Sequence, residues 1–187
     1  YLDAFRQETS ANGQTYPDAT IAVNNRINSG CLIFNYVGHG NENGLAHERV
    51  MKTEDINSWK NGSRLPLFIT ATCEFSRFDD ADMNLATKIL TPRTSAGEMV
   101  LLNPEGGGIA LMSTTRVVYS APNYYLNRNI YDALFDENGS GGPMALGDII
   151  RIAKNNSGNG PNKRNFSLLG DPAIVLSYPW HGKVVTD

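Results

Sequence analysis

The sequence predicts a three-layer α/β/α domain, in which helices cover both faces of a mainly parallel sheet. Short apolar segments of strand length alternate with segments whose apolar residues recur every three or four positions, and this alternation is typical of parallel sheets. The four predicted strands are residues 32–37, 65–71, 108–114 and 173–178. With 187 residues, 41% of them hydrophobic, the chain can bury a core of ordinary size, so residues 1–187 are treated as one domain.

Helices are predicted between these strands from start and stop residues. Pro17 lies near the start of the first helix and Gly30 follows its end, which is the asymmetry expected of a helix. The other predicted helices are residues 55–60, 95–102, 123–135 and 143–155, with a helical turn at 86–90. We expect residues 1–5 to close a strand, and residues 9–16, 137–142 and 156–162 to be loops.

The charge pattern argues against a nucleic-acid partner. The chain has 16 Lys and Arg against 19 Asp and Glu, a net charge of −3, and it has no basic stripe. Its apolar runs fall short of the roughly 18 residues of a membrane span. The chain begins at Tyr1 without an initiator Met, so we expect a fragment or a processed piece of a longer protein.

Two reactive side chains follow the ends of the first two predicted strands. His39 lies in the glycine-rich segment after residues 32–37, and Cys73 follows residues 65–71. The separation of 34 residues, from 39 to 73, fits one strand–helix–strand crossover, so we expect both side chains at the edge of the sheet where ligands bind. A thiolate is a strong nucleophile and an imidazole can take its proton, so the pair is a candidate catalytic dyad.

Gly40 is the predicted oxyanion donor beside this dyad. Because glycine has no Cβ, its N–H can approach a tetrahedral oxyanion closely, and the N–H of Cys73 is the natural second donor. The competing interpretations are a surface role for His39 and an inert buried thiol at Cys73. His47 is a second candidate base, although its position beyond the strand end favours a surface or pocket-rim role.

A disulfide between Cys31 and Cys73 is the structural alternative for the two thiols. Cys31 opens the first strand and Cys73 follows the end of the second, so parallel strands would hold the thiols about 20 Å apart. A bridge needs Cα atoms within about 7 Å of each other. We therefore expect two free thiols, with Cys31 a small core residue.

Two short motifs end the first two strands: Gly38-His39-Gly40 and Ala71-Thr72-Cys73. They resemble the caspase-like cysteine peptidases, which carry His-Gly and Cys at two successive strand ends. The similarity is greatest to the gingipain family, and within it to the sortase-like members of the type IX secretion system of Bacteroidetes. It continues through residues 95–98, 107–116 and 168–172, and so runs through most of the chain in order.

The resemblance implies a caspase-like fold and a role for each residue of the site. His39 is the catalytic histidine and Cys73 the nucleophile, and the amides of Gly40 and Cys73 form the oxyanion hole. The segment after the third strand helps to wall the specificity pocket. The residues assigned to substrate binding are Thr72, Ser113, Thr114, Thr115 and Arg116.

The resemblance further implies an enzyme that acts outside the cell. Such proteins cleave a C-terminal secretion domain from exported cargo through a thioester, then pass the acyl group to an amine on anionic lipopolysaccharide. The expected partners are polypeptide substrates, a lipopolysaccharide acceptor and other secretion-system components, at the extracellular or outer-membrane surface.

The chemistry that the resemblance implies requires no cofactor, although gingipains also contain structural calcium. Candidate oxygen ligands for such an ion are Glu74, Asp79, Asp80 and Asp82. A solvated acidic loop is the alternative interpretation of these four residues.

Two departures from the family pattern leave questions open. Thr72 stands where many relatives have a small residue. Family members also have an N-terminal half of the sheet, which in gingipains supplies an acidic residue behind the histidine, and the chain starts too late to contain it. The chain is thus predicted to be the C-terminal part of a larger catalytic domain, which need not be active alone.

The third catalytic group has only weak candidates in this sequence. Glu42, Glu48 and Asp79 qualify by their position along the chain and by nothing more. A non-catalytic peptide-binding or scaffold domain that retains the caspase-like fold is the competing interpretation of the whole chain.

Overall fold

Six helices and eleven strands form within residues 5–10, 13–136 and 143–178, the parts of the chain that this computed structural model describes. The helices are α1 (Pro17–Ser29), α2 (Thr53–Ser58), α3 (Ala96–Leu102), α4 (Ser120–Leu134), α5 (Leu146–Asn156) and α6 (Pro161–Asn165). The strands are β1 (Glu8–Ser10), β2 (Gly13–Thr15), β3 (Ile33–Val37), β4 (Gly40–Asn41), β5 (Gly44–Leu45), β6 (Met51–Lys52), β7 (Leu67–Ala71), β8 (Ala81–Met83), β9 (Leu90–Pro92), β10 (Ala110–Thr114) and β11 (Phe166–Leu169).

Four of these strands form the central sheet, in the order β11–β10–β7–β3. The strands β3, β7 and β10 are parallel, whereas β11 pairs antiparallel with β10 at one edge. The predicted mainly parallel sheet is therefore confirmed. Three of the four predicted strands are also confirmed, with bounds that differ from the prediction by at most two residues.

One face of the sheet is covered by α4 and α5. Ile69 of β7 and Met112 of β10 pack in one cluster with Leu126 and Ile130 of α4 and Ile149 of α5. All five side chains are fully buried. Burial of one such aliphatic side chain contributes roughly 1.5–3 kcal/mol, so this layer is a main source of stability.

The opposite face is covered by α1, α2 and α3. Phe68 of β7 and Leu111 of β10 pack with Ile27 of α1, Ile56 of α2 and Val100 of α3. Helices on both faces give the predicted three layers. Because both faces are covered, every residue of β7 and of β10 is buried, which explains why these strands are nearly continuous apolar runs in the sequence.

The fourth predicted strand, at 173–178, is wrong. The fourth strand of the sheet is β11, which ends just before a turn at Gly170-Asp171-Pro172. The Asp171 side chain accepts a hydrogen bond from the N–H of Ala173 at 2.8 Å, and this turn leads the chain away from the sheet. Beyond the turn, Val175 forms only an isolated bridge.

The five predicted helices are confirmed as α1 to α5, with ends shifted by at most three residues. The start of α3 shows why its prediction succeeds. Ser95 caps the helix by accepting a bond from the N–H of Glu98, and the Glu98 carboxylate accepts one from the Ser95 N–H at 2.8 Å. Within the described residues, no helix combines the length and the apolar content that crossing a bilayer requires.

Smaller differences lie in the connecting segments. β1 and β2 form a hairpin where residues 9–16 are predicted to be a loop. A turn followed by β9 replaces the predicted helical turn at 86–90. The helix α6 takes part of the predicted loop 156–162. The predicted loop 137–142 and most of the predicted strand 1–5 lie outside the described residues.

Asn61 connects the segments that lead into two neighbouring strands. Its buried amide donates hydrogen bonds to the carbonyls of Arg64 and Gly107, and its oxygen accepts one from the N–H of Gly107, all at 2.8 Å. Arg64 lies just before β7 and Gly107 just before β10. One side chain therefore aligns the starts of the two central strands.

We expect Asn61→Ala to destabilise the fold by about 3 kcal/mol, because it leaves buried backbone groups without partners. Chemical or thermal unfolding of the purified protein measures this loss. Asn57→Ala is the matched control, since Asn57 is exposed and its amide makes a weak bond to the Met99 sulfur, at 3.7 Å. A cost for Asn61→Ala no larger than that of the control would contradict the aligning role.

Candidate active site

His39 and Cys73 each lie at the second position after a pair of matched strand ends. β3 and β7 run parallel, and their last paired residues are Val37 and Ala71. One more backbone bond, from the N–H of Gly38 to the Ala71 carbonyl at 3.3 Å, continues the pairing beyond the ladder. The structure thus places the two predicted residues in matching positions beyond the carboxyl ends of neighbouring parallel strands.

The backbone of His39 is anchored while its ring is exposed. The His39 carbonyl accepts hydrogen bonds from the Tyr36 hydroxyl at 2.7 Å and from the Ala46 N–H at 2.8 Å. Burial, together with the nearby Glu48 carboxylate, raises the pKa of Tyr36, so its hydroxyl remains a donor at neutral pH. The imidazole packs against the ring of His47, with centroids 4.6 Å apart.

Cys73 is half-buried and contacts the segment after β10. Its thiol donates a weak hydrogen bond to the Val118 carbonyl, with a sulfur–oxygen distance of 3.8 Å. The next residue, Glu74, has a left-handed backbone with φ of 53°, and its N–H bonds the Arg116 carbonyl at 3.4 Å. The thiol is free, as is that of Cys31, so the predicted absence of a disulfide is confirmed.

Gly40 lies against the residue that precedes the cysteine. A Cβ added to Gly40 would stand 2.5 Å from Thr72 Oγ1 and 3.0 Å from the Gly44 carbonyl oxygen. The first distance is shorter than real Cβ atoms show and the second is tighter than most, so a side chain at position 40 would force Thr72 or the Gly44 backbone to shift. The backbone that follows His39 is thereby packed against the backbone that leads into Cys73.

Four of the five residues assigned to substrate binding have buried side chains. Thr70 Oγ1 lies 2.5 Å from Ser113 Oγ, and Thr114 Oγ1 donates to the Thr72 carbonyl at 2.5 Å. Thr115 Oγ1 donates to the Asn165 carbonyl at 3.2 Å. The side chains of Thr72, Ser113, Thr114 and Thr115 all face the interior. Substrate binding by these residues stays a prediction. Because their side chains are buried, only their backbone groups could contact a substrate.

Arg116 is exposed at the end of this segment and binds Asp79. The Arg116 guanidinium holds the pKa of the Asp79 carboxyl below its usual range. Glu42, a second candidate for the third catalytic group, binds Arg93 at 3.1 Å. The carboxylates of Asp79 and Glu42 are thus paired with arginines, whereas that of Glu48 lies near Tyr36.

The segment between β7 and β9 is rich in acidic residues, but several of their carboxylates form ion pairs with nearby arginines. Asp80 binds Arg77 at 3.5 Å and Arg93 at 3.1 Å, and Asp82 binds Arg93 at 3.2 Å. Glu74 also binds Arg77, at 3.2 Å. No group of three or more acidic, histidine or cysteine side chains that could hold a metal ion occurs in the described part of the chain.

A pocket of about 630 Å³ opens on the histidine side of the site. His39, Gly40 and His47 line it together with the small sheet β4–β5–β6, and Cys73 is absent from its lining. His47 lines this pocket, which agrees with the surface or pocket-rim role that the sequence favours. Its contact with the His39 ring could not be foreseen, because Ala46, the residue before it, has a left-handed backbone with φ of 67° that its residue type does not signal.

Two further contacts of the site escape sequence reasoning. The Val118 carbonyl faces the Cys73 thiol, and the Tyr36 hydroxyl supports the His39 backbone. No residue type signals a carbonyl contact. Tyr36 did carry a signal, since it is a polar-tipped residue two positions before Gly38, in a run that is mostly apolar.

The model of peptidase family C25 matches residues 1–177 of the chain. The fold is similar to that of the Arg-specific cysteine proteinase gingipain R, with a TM-score of 0.65 and 16% identity over 84% of this chain and 36% of that chain. It is also similar to the complex of Porphyromonas gingivalis RgpB pro- and mature domains, with a TM-score of 0.68 and 15% identity over 84% and 37%. The chain thus spans little more than a third of these proteins. No curated protein sequence matches it significantly.

The two thiols should differ in reactivity towards an alkylating agent at neutral pH. Burial raises the pKa of the Cys31 thiol, only partly offset by Arg26, so little of it is thiolate. We expect iodoacetamide to modify Cys73 faster than Cys31 in the native protein. Peptide mapping by mass spectrometry gives both rates, and the denatured protein, where the rates should converge, is the control. Equal native rates would contradict this assignment.

Proposed function

This chain belongs to peptidase family C25, and from that premise we propose that it is a cysteine-type peptidase in which Cys73 is the nucleophile and His39 the general base and acid. The observation that carries the proposal is the register of β3 and β7, which puts both residues at equivalent positions beyond one sheet edge. A nucleophile and a base from neighbouring strand ends form the arrangement that covalent catalysis needs.

The first half of the proposed reaction acylates the enzyme. The Cys73 sulfur attacks the carbonyl carbon of the scissile peptide, and the thiol proton passes to His39. The N–H groups of Gly40 and Cys73 donate to the oxyanion of the tetrahedral intermediate. The carbon–nitrogen bond then breaks, His39 returns the proton to the leaving amine, and a thioester to Cys73 remains.

The second half resolves the thioester. His39 removes a proton from an incoming water or amine, which attacks the thioester carbonyl and releases the Cys73 thiol. Water gives a free carboxylate, whereas an amine gives a new amide bond. Thiol, imidazole and backbone amides supply every reacting group, so the proposed chemistry uses no cofactor. A structural calcium ion remains a proposal that rests on the resemblance to gingipains.

The finer part of the proposal is the kind of substrate. The motifs of the chain resemble those of PorU, the sortase-like peptidase of the type IX secretion system, and this supports cleavage of C-terminal secretion domains from exported cargo proteins. The proposed acceptor is an amine on anionic lipopolysaccharide, and the other proposed partners are components of the secretion system. The proposed location is the extracellular or outer-membrane surface.

In the full-length protein, Cys73→Ala and His39→Ala should each lower the cleavage of a cargo protein by about 10⁴-fold or more. Cys31→Ala is the matched control and should cleave normally, because this thiol lies at the start of β3 and away from the site. Mass analysis of products formed with an added amine separates the two outcomes: a sortase yields an amine adduct and a hydrolase only a carboxylate. Cleavage that survives Cys73→Ala would refute the proposed nucleophile.

Gly40→Ala tests the oxyanion hole, because its Cβ cannot fit beside Thr72 Oγ1. We expect kcat to fall by about 10²–10³, the usual effect of losing one oxyanion donor. Gly160→Ala is the matched control, since a Cβ there would meet no atom within 4 Å.

A second variant separates displacement of the Gly40 amide from a general loss of folding. Thr72 Oγ1 is buried without a hydrogen-bond partner among the described residues, so Thr72→Ala alone should be tolerated. Adding Thr72→Ala to Gly40→Ala removes the closest clash and should restore part of kcat. Unchanged kcat in Gly40→Ala would exclude its amide from the oxyanion hole.

A further inference from the structure

The pocket beside His39 is built only from the histidine side of the site. Its lining comes from His39, from β4, β5 and β6 with their connections, and from the first two residues of α2. Its volume of about 630 Å³ lies within the range of pockets that bind ligands, roughly 300–1,000 Å³. Since Cys73 does not line it, the acyl group held by the nucleophile is not its natural occupant.

The order of proton transfers indicates which part of a substrate would occupy this pocket. After attack by Cys73, the proton on His39 must reach the nitrogen of the leaving peptide. That nitrogen therefore lies against His39, and the chain that follows it extends away from the sulfur. The pocket next to His39 is consequently placed to receive the segment C-terminal to the scissile bond.

The charges of the pocket are unbalanced. Arg49 and Lys52 are exposed in its lining, and neither forms an ion pair within the described part of the chain. The carboxylate in the lining is that of Glu54. On the Cys73 side, by contrast, three arginines each bind a carboxylate of the chain itself: Arg77, Arg93 and Arg116.

The wall that carries these cations is held in a defined conformation. Ala46 and Arg49 both have left-handed backbones, with φ of 67° and 56°, which residues other than glycine rarely adopt. A bond from the Arg49 N–H to the Ala46 carbonyl at 3.1 Å closes the turn between them. The buried side chains of Leu45 and Met51 hold its two ends. The turn therefore presents His47 and Arg49 to the pocket.

We propose that this pocket is the subsite for the segment C-terminal to the scissile bond, and that it selects an acidic side chain there. The inference rests on the proposed peptidase function and deepens it. Arg49 and Lys52 would each offer a charge-assisted hydrogen bond to a carboxylate, whereas a lysine in the substrate would meet like charge. The specificity of this subsite then comes from two cations and not from an apolar pocket of complementary shape.

The test uses the full-length protein and peptides that share one sequence before the scissile bond. The first two positions after that bond carry Asp, Asn or Lys. We expect kcat/KM for Asp to exceed that for Lys by about tenfold or more. Arg49→Glu and Lys52→Glu should each reverse this order. Lys60→Glu is the matched control and should keep it, because Lys60 lies before β7, at the opposite end of the sheet.

A binding measurement keeps the test independent of turnover. The released segments, with Asp or Lys near their free N-terminus, are titrated into the Cys73→Ala protein, and the Asp segment should bind more tightly. Equal kcat/KM for all peptides, with cleavage that still depends on Cys73, would overturn the subsite and leave the proposed function standing. Absence of any Cys73-dependent cleavage would overturn the proposed function, and equal binding of the two segments would then overturn the subsite as well.

Discussion

The site depends on the parallel pairing of β3 with β7, which ends at Val37 opposite Ala71. A slip of one residue would turn every side chain of β3 to the other face and move His39 by about 3.3 Å along the strand relative to Cys73. The register is determined by the packing of β3, because Phe34 and Tyr36 pack against the core cluster on one face of the sheet, whereas Ile33 packs against the cluster on the other. The hydrophobic core therefore positions the backbone that carries His39 and Cys73, and the loops that follow the strands add the remaining contacts of the two side chains.

Hydroxyl groups join the carboxyl ends of β7 and β10 where the apolar pattern stops. A buried hydroxyl is costly unless it is hydrogen-bonded. Thr70 pairs with Ser113, and Thr114 with the carbonyl of Thr72, so polar residues are tolerated at the end of a core strand. Such bonds are directional, whereas apolar contacts are not, so the backbone that leads into Cys73 is held more specifically than packing alone would hold it.

The sequence predicts the three layers of the fold better than it predicts the last strand of the sheet. Strands covered on both faces are continuous apolar runs, which is why three of them could be recognised. The run at 173–178 has the same composition, but the turn at Asp171-Pro172 takes it off the sheet, and no periodicity reports that. The positions of His39 and Cys73 could be predicted, because parallel neighbouring strands bring their carboxyl ends together. The approach of His47 to His39 could not, because it depends on the backbone of Ala46, a residue type without preference for left-handed conformation.

The two sides of the site differ in how their charges are satisfied, and this difference constrains how selectivity can arise. On the thiol side, ion pairs within the chain occupy the arginines, so a substrate charge would have to break an existing pair before forming a new one. On the imidazole side, Arg49 and Lys52 line an open pocket with one carboxylate, Glu54, in the same lining. In the proposed subsite, a substrate carboxylate would form an ion pair without breaking an existing one. Electrostatic selection is therefore favoured beside His39, whereas the surroundings of Cys73 are left to select by shape and backbone contact.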